Sequence, residues 1–571
     1  MQVVTTDVAI VGGGAAGCYA ALNLNRRGIR SLIVCKGLVG KSGASLFAGN
    51  LVVSGRLLGN TDENARNTAE FLIKYHNQFL IDQDWARRCG QWIEQVYYPE
   101  LEEAGLYFRR DDTGQVVTSP GKIRSVAANV QGNSGVPFMD LRRKQVIKAR
   151  IPRLEETVAT ALLRKPDGSV GGVFCLNYLT GEYTVVVARA VIMATGYSDR
   201  LHARSTGTRE MSADGIALAW RVGATLVNME MQWWHTNDMA HPPSWQRIQI
   251  YPNPMLGSEK SARMVNSVGE EFFNQQRDDP LAFGPYTVQL KALAKQVHAG
   301  KARYDGGYYA GFDHCNAAEV EAYTTYAKAY HQLGLRFPEQ LMETAVTTHY
   351  RQGGIDADTT TMRSSVPGLY VAGGLGGHSN GLIALATYDG KVVAEGVAGD
   401  LPNLSASPPL EQDITLERNR LEALRISSSD GMTPISVKER IRALMWDKVG
   451  VEKTTANMTS ALDALEQIRL ELLPGMRISN QAKSANYEWL DAIDVMNMID
   501  ACELIIHSSL ERKESRGPFF RQDFPLTDNG NWLVANVMRK SGNGFRFERR
   551  KYDLPMFRPD FAIKNNFEVA W

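Results

Sequence analysis

The chain has 571 residues, 44% hydrophobic and 22% charged, a balance ordinary for a folded protein of several domains. Its 63 Lys and Arg offset 62 Asp and Glu, and a formal net charge of +1 gives no electrostatic reason to bind nucleic acid or an acidic membrane surface. The 6 cysteines (Cys18, Cys35, Cys89, Cys175, Cys315, Cys502) form no CxxC, zinc-ligand or ferredoxin-type run, so any iron–sulfur cluster used here belongs to another polypeptide.

Scattered single cysteines fit a reducing compartment. No stretch approaches the roughly 18–20 apolar residues of a spanning helix. Strand-like residues begin at Val3, without the pattern of a signal peptide, so the expected location is cytoplasmic.

The first 37 residues read strand–turn–helix–strand. An apolar run ends in Gly12-Gly13-Gly14-Ala15-Ala16-Gly17, a helical stretch runs from Cys18 to Arg27, and Gly28 closes it. A second apolar strand follows, Ser31 to Cys35. Residues 63–105 have helical spacing. Residues 146–196 read as short strands with turns at Pro166-Asp167-Gly168 and Thr180-Gly181, ending in a buried-looking strand, Ala190 to Gly196. A similar strand with a glycine-rich end stands far downstream, Gly368 to Gly374. Between them lies an insert rich in Pro, Asn and aromatic residues. Residues 411–512 are mostly helical, and Asn486 to Arg512 places Trp489, Ile493, Met496, Ile499, Leu504 and Ile505 on one apolar face. A basic cluster, Arg546 to Lys551, lies near the end.

Glycines between a strand and a helix let a pyrophosphate approach the backbone, and helix amides point at it. The order strand, turn, helix, Gly28, strand points to an ADP-containing cofactor. The acid that would hold the ribose of NAD is absent, and Cys35-Lys36 stands in its place. The wide separation of Ala194-Thr195-Gly196 from Gly373-Gly374 is that of an FAD domain split by a second domain. The small residues of Gly40 to Asn50 suit close approach to a flavin.

In order, these motifs resemble the flavoprotein subunits of the succinate dehydrogenase/fumarate reductase family, whose relatives include L-aspartate oxidase and adenylylsulfate reductase. Ala213-Asp214-Gly215 with Arg221-Val222-Gly223-Ala224 resembles the family's "GDG…RAGA". Gln232-Trp233-Trp234-His235-Thr236 resembles "QFHPT", and His349 to Ile355 resembles "HYxMGGI". Arg512-Lys513-Glu514-Ser515-Arg516-Gly517 and Arg521-Gln522-Asp523-Phe524-Pro525 resemble "RxESRGxHxRxDFP".

The resemblance implies an α/β fold: a Rossmann-like split FAD-binding domain (1–240 and 346–400), an inserted α+β capping domain (241–345), a C-terminal helical domain (411–530) and a tail (531–571). It implies hydride transfer at flavin N5 with a small organic substrate, and an iron–sulfur partner protein. The alternatives are an L-aspartate oxidase-like or adenylylsulfate reductase-like enzyme, and a flavin electron-transfer subunit without substrate chemistry of its own. The residues expected around FAD are Gly12, Gly14, Ala15, Ala16, Gly17, Lys36, Ser42, Gly43, Ala48, Gly49, Ala194, Thr195, Gly196, Asp214, Gly373, Gly374, Asn380, Leu382 and Ile383.

By motif, His235 and His349 match the family's substrate histidines. Ser258-Glu259 matches the start of its proton relay, with Arg263 as a partner, and Lys291 stands where the family has its proton-donating Arg. Two departures are plain. No Arg occurs in Gly376 to Ile383, where the family clamps a carboxylate, which argues against fumarate or succinate and leaves His378 or Asn380 to contact a less anionic group. No His precedes His76, whereas the covalent flavin histidine of membrane-bound members falls near Ser42, so FAD is expected to be non-covalent. Gly374 stands in place of an acidic FAD contact.

Overall fold

A computed structural model describes residues 1–49, 51–52, 61–108, 110–114, 125–126, 134–245, 248, 262–273, 286–303, 306–323, 327–378, 381–426, 430–542 and 544–561. Val8–Val11 (β1) is buried along its whole length, as an interior parallel strand must be. It leads into Ala15–Arg26 (α1), and Gly28, at φ +72°, turns the chain into Ser31–Val34 (β2). β2 runs parallel to β1 with Ser31 opposite Val8. Ala190–Met193 (β3) lies along the other edge of β1, Met193 opposite Val11. Asp214–Arg221 (α2) then leads to two long antiparallel strands, Gln232–Met239 (β4) and Met342–Arg351 (β5).

The chain returns to the first sheet with Leu369–Val371 (β6), parallel to β3, and then Ile383–Asp400 (α3), which packs on α1. The sheet order is β6-β3-β1-β2 with Arg153–Leu154 outermost. One parallel sheet is therefore assembled from segments separated by more than a hundred residues, which is the split Rossmann-like architecture.

The intervening segment builds a second sheet of five antiparallel strands: β4, β5, Tyr309–Gly311, Arg263–Val265 and Glu271–Phe273. Its core is Trp234, Met264, Leu293, Tyr308, Phe337 and Met342, among others. Its two longest strands extend outside residues 241–345, so the cap and the split domain share β4 and β5.

Helices Glu411–Arg425, Pro434–Lys448, Thr455–Gln467 and Tyr487–Glu511 (α4) form the C-terminal region. The one-sided apolar face expected for α4 is an underestimate. Leu490, Ala492, Val495, Met498, Ala501 and Cys502 are buried too, because α4 is a central helix with neighbours on several sides, whereas Met496 is half-buried. The segment after residue 531 forms a hairpin, Val534–Ser541 with Gly544–Lys551, and joins Leu226–Val227 in a further sheet. Its basic cluster meets acids locally: Arg549 pairs with Glu511 and Arg550 with Asp356.

Arg512-Lys513-Glu514-Ser515-Arg516 closes α4 and pins the domains together. Arg512 Nε donates to Glu230 Oε1 at 2.5 Å, and Nη1 donates to Glu514 Oε1 at 2.8 Å and to the Trp532 carbonyl. Arg516 grips the same Glu514. All four side chains are buried.

Candidate functional site

The glycine turn after β1 is packed so tightly that only glycine fits. Gly12 has φ +119°, and a Cβ there would lie 2.1 Å from the Ala194 carbonyl oxygen. A Cβ at Gly17 would lie 2.0 Å from the Gly12 carbonyl oxygen. The turn thus brings Gly12 beside Ala194-Thr195 at the end of β3 and Gly14 beside Ser45, with Ala15, Ala16 and Gly17 as the first turn of α1. Gly14 caps that helix without a side-chain hydrogen bond, and no acid lies in its first turn. Such an end suits an anion.

Other expected segments converge here. Ser45 Oγ accepts from the Ala15 amide at 3.2 Å. The carbonyls of Ala48 and Gly49 accept from the Gly135 and Ser134 amides. Gly43 and Gly196 both adopt positive φ. A Cβ on Gly373 would touch Ala16, and Leu382-Ile383 open α3. A Cβ on Gly374 would lie 2.2 Å from the Tyr197 ring, so glycine there makes room for an aromatic side chain.

Beyond the end of β2, Lys36 Nζ donates to Asp214 Oδ2 at 2.8 Å, Asp494 Oδ1 at 2.5 Å and Ser212 Oγ at 2.6 Å. Burial opposes its charge, but the two carboxylates hold the ammonium above its ordinary pKa. Asp494 comes from α4 and has no sequence signal at this position. Lys36 and Ser42 also line a cavity of about 250 Å³ with Lys41, Glu156, Arg209 and Tyr487. The glycine cradle, the uncapped helix end and this cavity fit the pyrophosphate and adenosine of a dinucleotide.

Gly12→Ala should lose bound flavin, because both the contact and φ forbid a side chain without backbone movement. Gly28→Ala meets nothing within 4 Å, and its φ of +72° costs only about 1 kcal/mol of stability, so this variant should retain the flavin. The 450 nm to 280 nm absorbance ratio of the purified variants measures this.

The second half of the site lies on β4 and β5. His235 stands opposite Thr347. Thr347 and His349, two residues apart, share a face, which puts His349 diagonal to His235. Their rings stack with centroids 3.6 Å apart at 22°. Thr206 Oγ1 lies 2.7 Å from His349 Nδ1. The pairing carries two bulges. One extra residue in β5 falls at His349-Tyr350, and one in β4 falls between His235 and Asp238.

A third histidine, His76, joins them. It stacks on Trp233 at 4.9 Å and on Tyr350 at 5.5 Å, and the Tyr350 hydroxyl lies 3.0 Å from its Nε2. Burial pushes His76 and His235 down to about 3, the other two histidines adding to the effect on His76. Burial, then His235, lowers His349 well below its ordinary value. All three imidazoles are therefore neutral near pH 7. Sequence reasoning missed His76, Thr206 and Asp238, which carry no motif.

Residues 7–387 match the family model for the FAD binding domain, and residues 438–563 match that for the fumarate reductase flavoprotein C-terminus. The chain belongs to the fumarate reductase/succinate dehydrogenase flavoprotein family. A fumarate reductase (CoM/CoB) polypeptide of Methanothermobacter marburgensis is 25% identical over 543 residues, covering 91% of this chain and 95% of that protein. L-aspartate oxidase 1 of Ralstonia nicotianae is 25% identical over 547 residues, covering 91% and 96%. The solved structure of Mycobacterium smegmatis Sdh1 in complex with UQ1 superposes with a TM-score of 0.84 at 25% identity, covering 98% of this chain and 96% of that one. As a member of the family, the chain is an FAD-dependent oxidoreductase.

Against the family's relay, the structure is selective. Ser258, Glu259 and Asn380 lie outside the described residues. Arg263 is bound at its guanidinium by Asp313, at 2.8 and 2.5 Å, and by Glu271. Lys291, on the helix Tyr286–His298, lies with Nζ 5.3 Å from the centre of the Phe520 ring. His378, expected as a contact to a less anionic group, is held at one ring nitrogen by Asp389. Its Nε2 meets Asp389 Oδ2 at 3.2 Å and its ring stands edge-on to Trp85, because Asp389 and Trp85 form a buried polar pocket under α3. The segment still reaches the aromatic ring that packs on the histidines: a Cβ on Gly381 would lie 2.3 Å from the Tyr350 ring. No helix among the described residues is long and apolar enough to cross a membrane.

Proposed function

We propose that the chain transfers hydride between non-covalently bound FAD and a small organic substrate held by His235 and His349, and exchanges electrons with an iron–sulfur partner protein. The observation that carries this reading is the stacked pair of histidines on adjoining strands of the cap sheet, His235 buried and His349 half-buried. FAD would supply the hydride chemistry at N5. The residues to hold it are the 12–17 turn, Lys36, Ser42, Gly43, Ala48, Gly49, Thr195, Gly196, Asp214, Gly373-Gly374, Leu382 and Ile383, with Asn380 a further candidate from its motif.

His235 and His349 hold the substrate, and burial keeps both rings uncharged at rest. Trp233, Tyr350 and His76 pack beside them and exclude water. The nearby cation, Arg351, is committed elsewhere, donating to the Met229 carbonyl and Gln232 Oε1 at 2.5 Å each. With no Arg in 376–383, this end of the site lacks the bidentate fork that a dicarboxylate needs. A substrate less anionic than fumarate follows. Glu259, Arg263 and Lys291 remain candidates for proton delivery to it, and the single scattered cysteines leave the cluster to a partner.

The test is anaerobic. The reduced protein is titrated with fumarate, monoanionic enoates, iminoaspartate and sulfur nucleotides while the flavin spectrum is followed. Re-oxidation by a monoanionic enoate, with little response to fumarate, is expected. Re-oxidation by iminoaspartate or a sulfur nucleotide would replace the substrate class, and indifference to all would leave a flavin electron-transfer subunit. Acid precipitation should release the flavin to the supernatant.

A further inference from the structure

His235 and Asp238 are three residues apart, so a regular strand would point them to opposite faces of the sheet. The bulge in β4 cancels this. His235 lies opposite Thr347 and Asp238 opposite Ala345, so three steps along β4 match two along β5 and both side chains share the face of Thr347. Asp238 is fully buried. Its Oδ2 accepts from Thr347 Oγ1 at 2.5 Å. Its Oδ1 lies 3.5 Å from His235 Nδ1 and has no hydrogen-bond partner among the described residues. A buried carboxyl oxygen without a partner is rare and costly, so its place beside an imidazole nitrogen calls for a reason.

We propose that Asp238 is a positioning residue for His235: its carboxylate holds the ring as the Nδ1–H tautomer, so that Nε2 exchanges the proton with substrate. The inference rests on the reading of His235 as a substrate histidine. In the step, one proton moves between a substrate atom and Nε2, and the ring gains or loses one positive charge. The Asp238 carboxylate balances that charge and takes no proton itself. The same logic orients a histidine wherever a carboxylate meets one ring nitrogen and leaves the other to react.

The surrounding groups favour one cation at most. His349 is stacked on His235, and His76 lies close enough to be coupled to both. Tyr308, just before the strand Tyr309–Gly311, lies close enough to feel the Asp238 charge, and Thr347 faces Asp238 from β5. Burial raises Asp238 to about 6, partly offset by the hydrogen bond from Thr347 and the proximity of His349. The carboxylate form therefore prevails near pH 7.

The test uses the FAD-loaded protein labelled with [15N]histidine, with His235→Gln to assign the resonance. The wild type should show Nδ1-protonated His235. Asp238→Asn should shift that tautomer toward Nε2–H, move the pH profile of turnover, and lower kcat by about ten-fold or more at nearly constant KM. Asp238→Glu should restore part of the rate. If Asp238→Asn does not fold, Thr347→Val, which frees Asp238 Oδ2, should produce a smaller shift in the same direction. An unchanged tautomer in the substituted protein would overturn the pairing. A shifted tautomer with turnover intact in His235→Gln would instead overturn the role of His235 as a substrate histidine.

Discussion

His349→Ala should keep its flavin and lose turnover by about 10²–10³-fold, the usual effect of removing one positioned hydrogen-bonding group from a site. The separation follows from the fold. The cofactor cradle is built by the 12–17 turn, the end of β3 and the residues after β6. His349 hangs from β5, in the cap sheet, and touches His235, Thr206 and Tyr350. The variant removes one ring from a stack without touching Gly12, Thr195 or Gly373. Absorbance at 450 nm and steady-state turnover with the substrate found by re-oxidation decide it. Loss of flavin with loss of turnover would assign His349 to cofactor binding or to the packing of the domain.

Arg512→Met should destabilise the protein by about 3–5 kcal/mol, the scale for breaking a buried ion pair from one side. Arg512 sits with no exposed side-chain surface between Glu230 and Glu514. It also satisfies the carbonyls of Trp532 and Val534. Methionine fills similar volume but leaves Glu230 without its closest cation and two carbonyls without a donor. The loss reaches beyond local packing. Glu230 precedes β4, Arg512 ends α4, and Glu514 also binds Arg516, which donates to the carbonyl of Gln78. Thermal or urea unfolding measures the effect. Lys513→Met, one residue along and exposed, should change stability by no more than about 0.5 kcal/mol. Adding Glu230→Gln to Arg512→Met should recover part of the loss, since the uncompensated charge is then gone.

Much of the cofactor half of the site is legible in the sequence because its parts are contiguous. A strand, three glycines and a helix must form a tight turn whatever surrounds them, and Gly28 closes the helix by local geometry alone. The two histidines stand out through their neighbours in the motifs, as do the paired arginines of 512–521. The latter turn out to be a buried clamp between domains. What local pattern misses is every contact set by a distant element. Lys36 has no acid beside it in the chain, yet Asp494, more than four hundred residues away, supplies one. His378 occupies a stretch that sequence connects to substrate, but Asp389 and Trp85 draw it inward. α4 reads as a helix with one apolar face because periodicity counts only the largest apolar residues, while Ala492, Ala501 and Cys502 let other helices approach on further sides.

The sequence by itself determined the class of cofactor and the split of its domain, because a phosphate turn and a strand end depend on residues next to one another, and it pointed to the two histidines through the motifs around them. Only the tertiary structure decided that His76 joins those histidines, and that Asp238 shares their face. The first depends on the segment ending at His76 packing on Trp233 and Tyr350, and the second on the register between β4 and β5. One extra residue in a strand reverses the direction of every side chain after it, and nothing in the linear order of Thr236 and Asn237 announces the bulge. The placing of Asp238 beside His235 therefore rests on a count of residues between two strands, which only their pairing reveals.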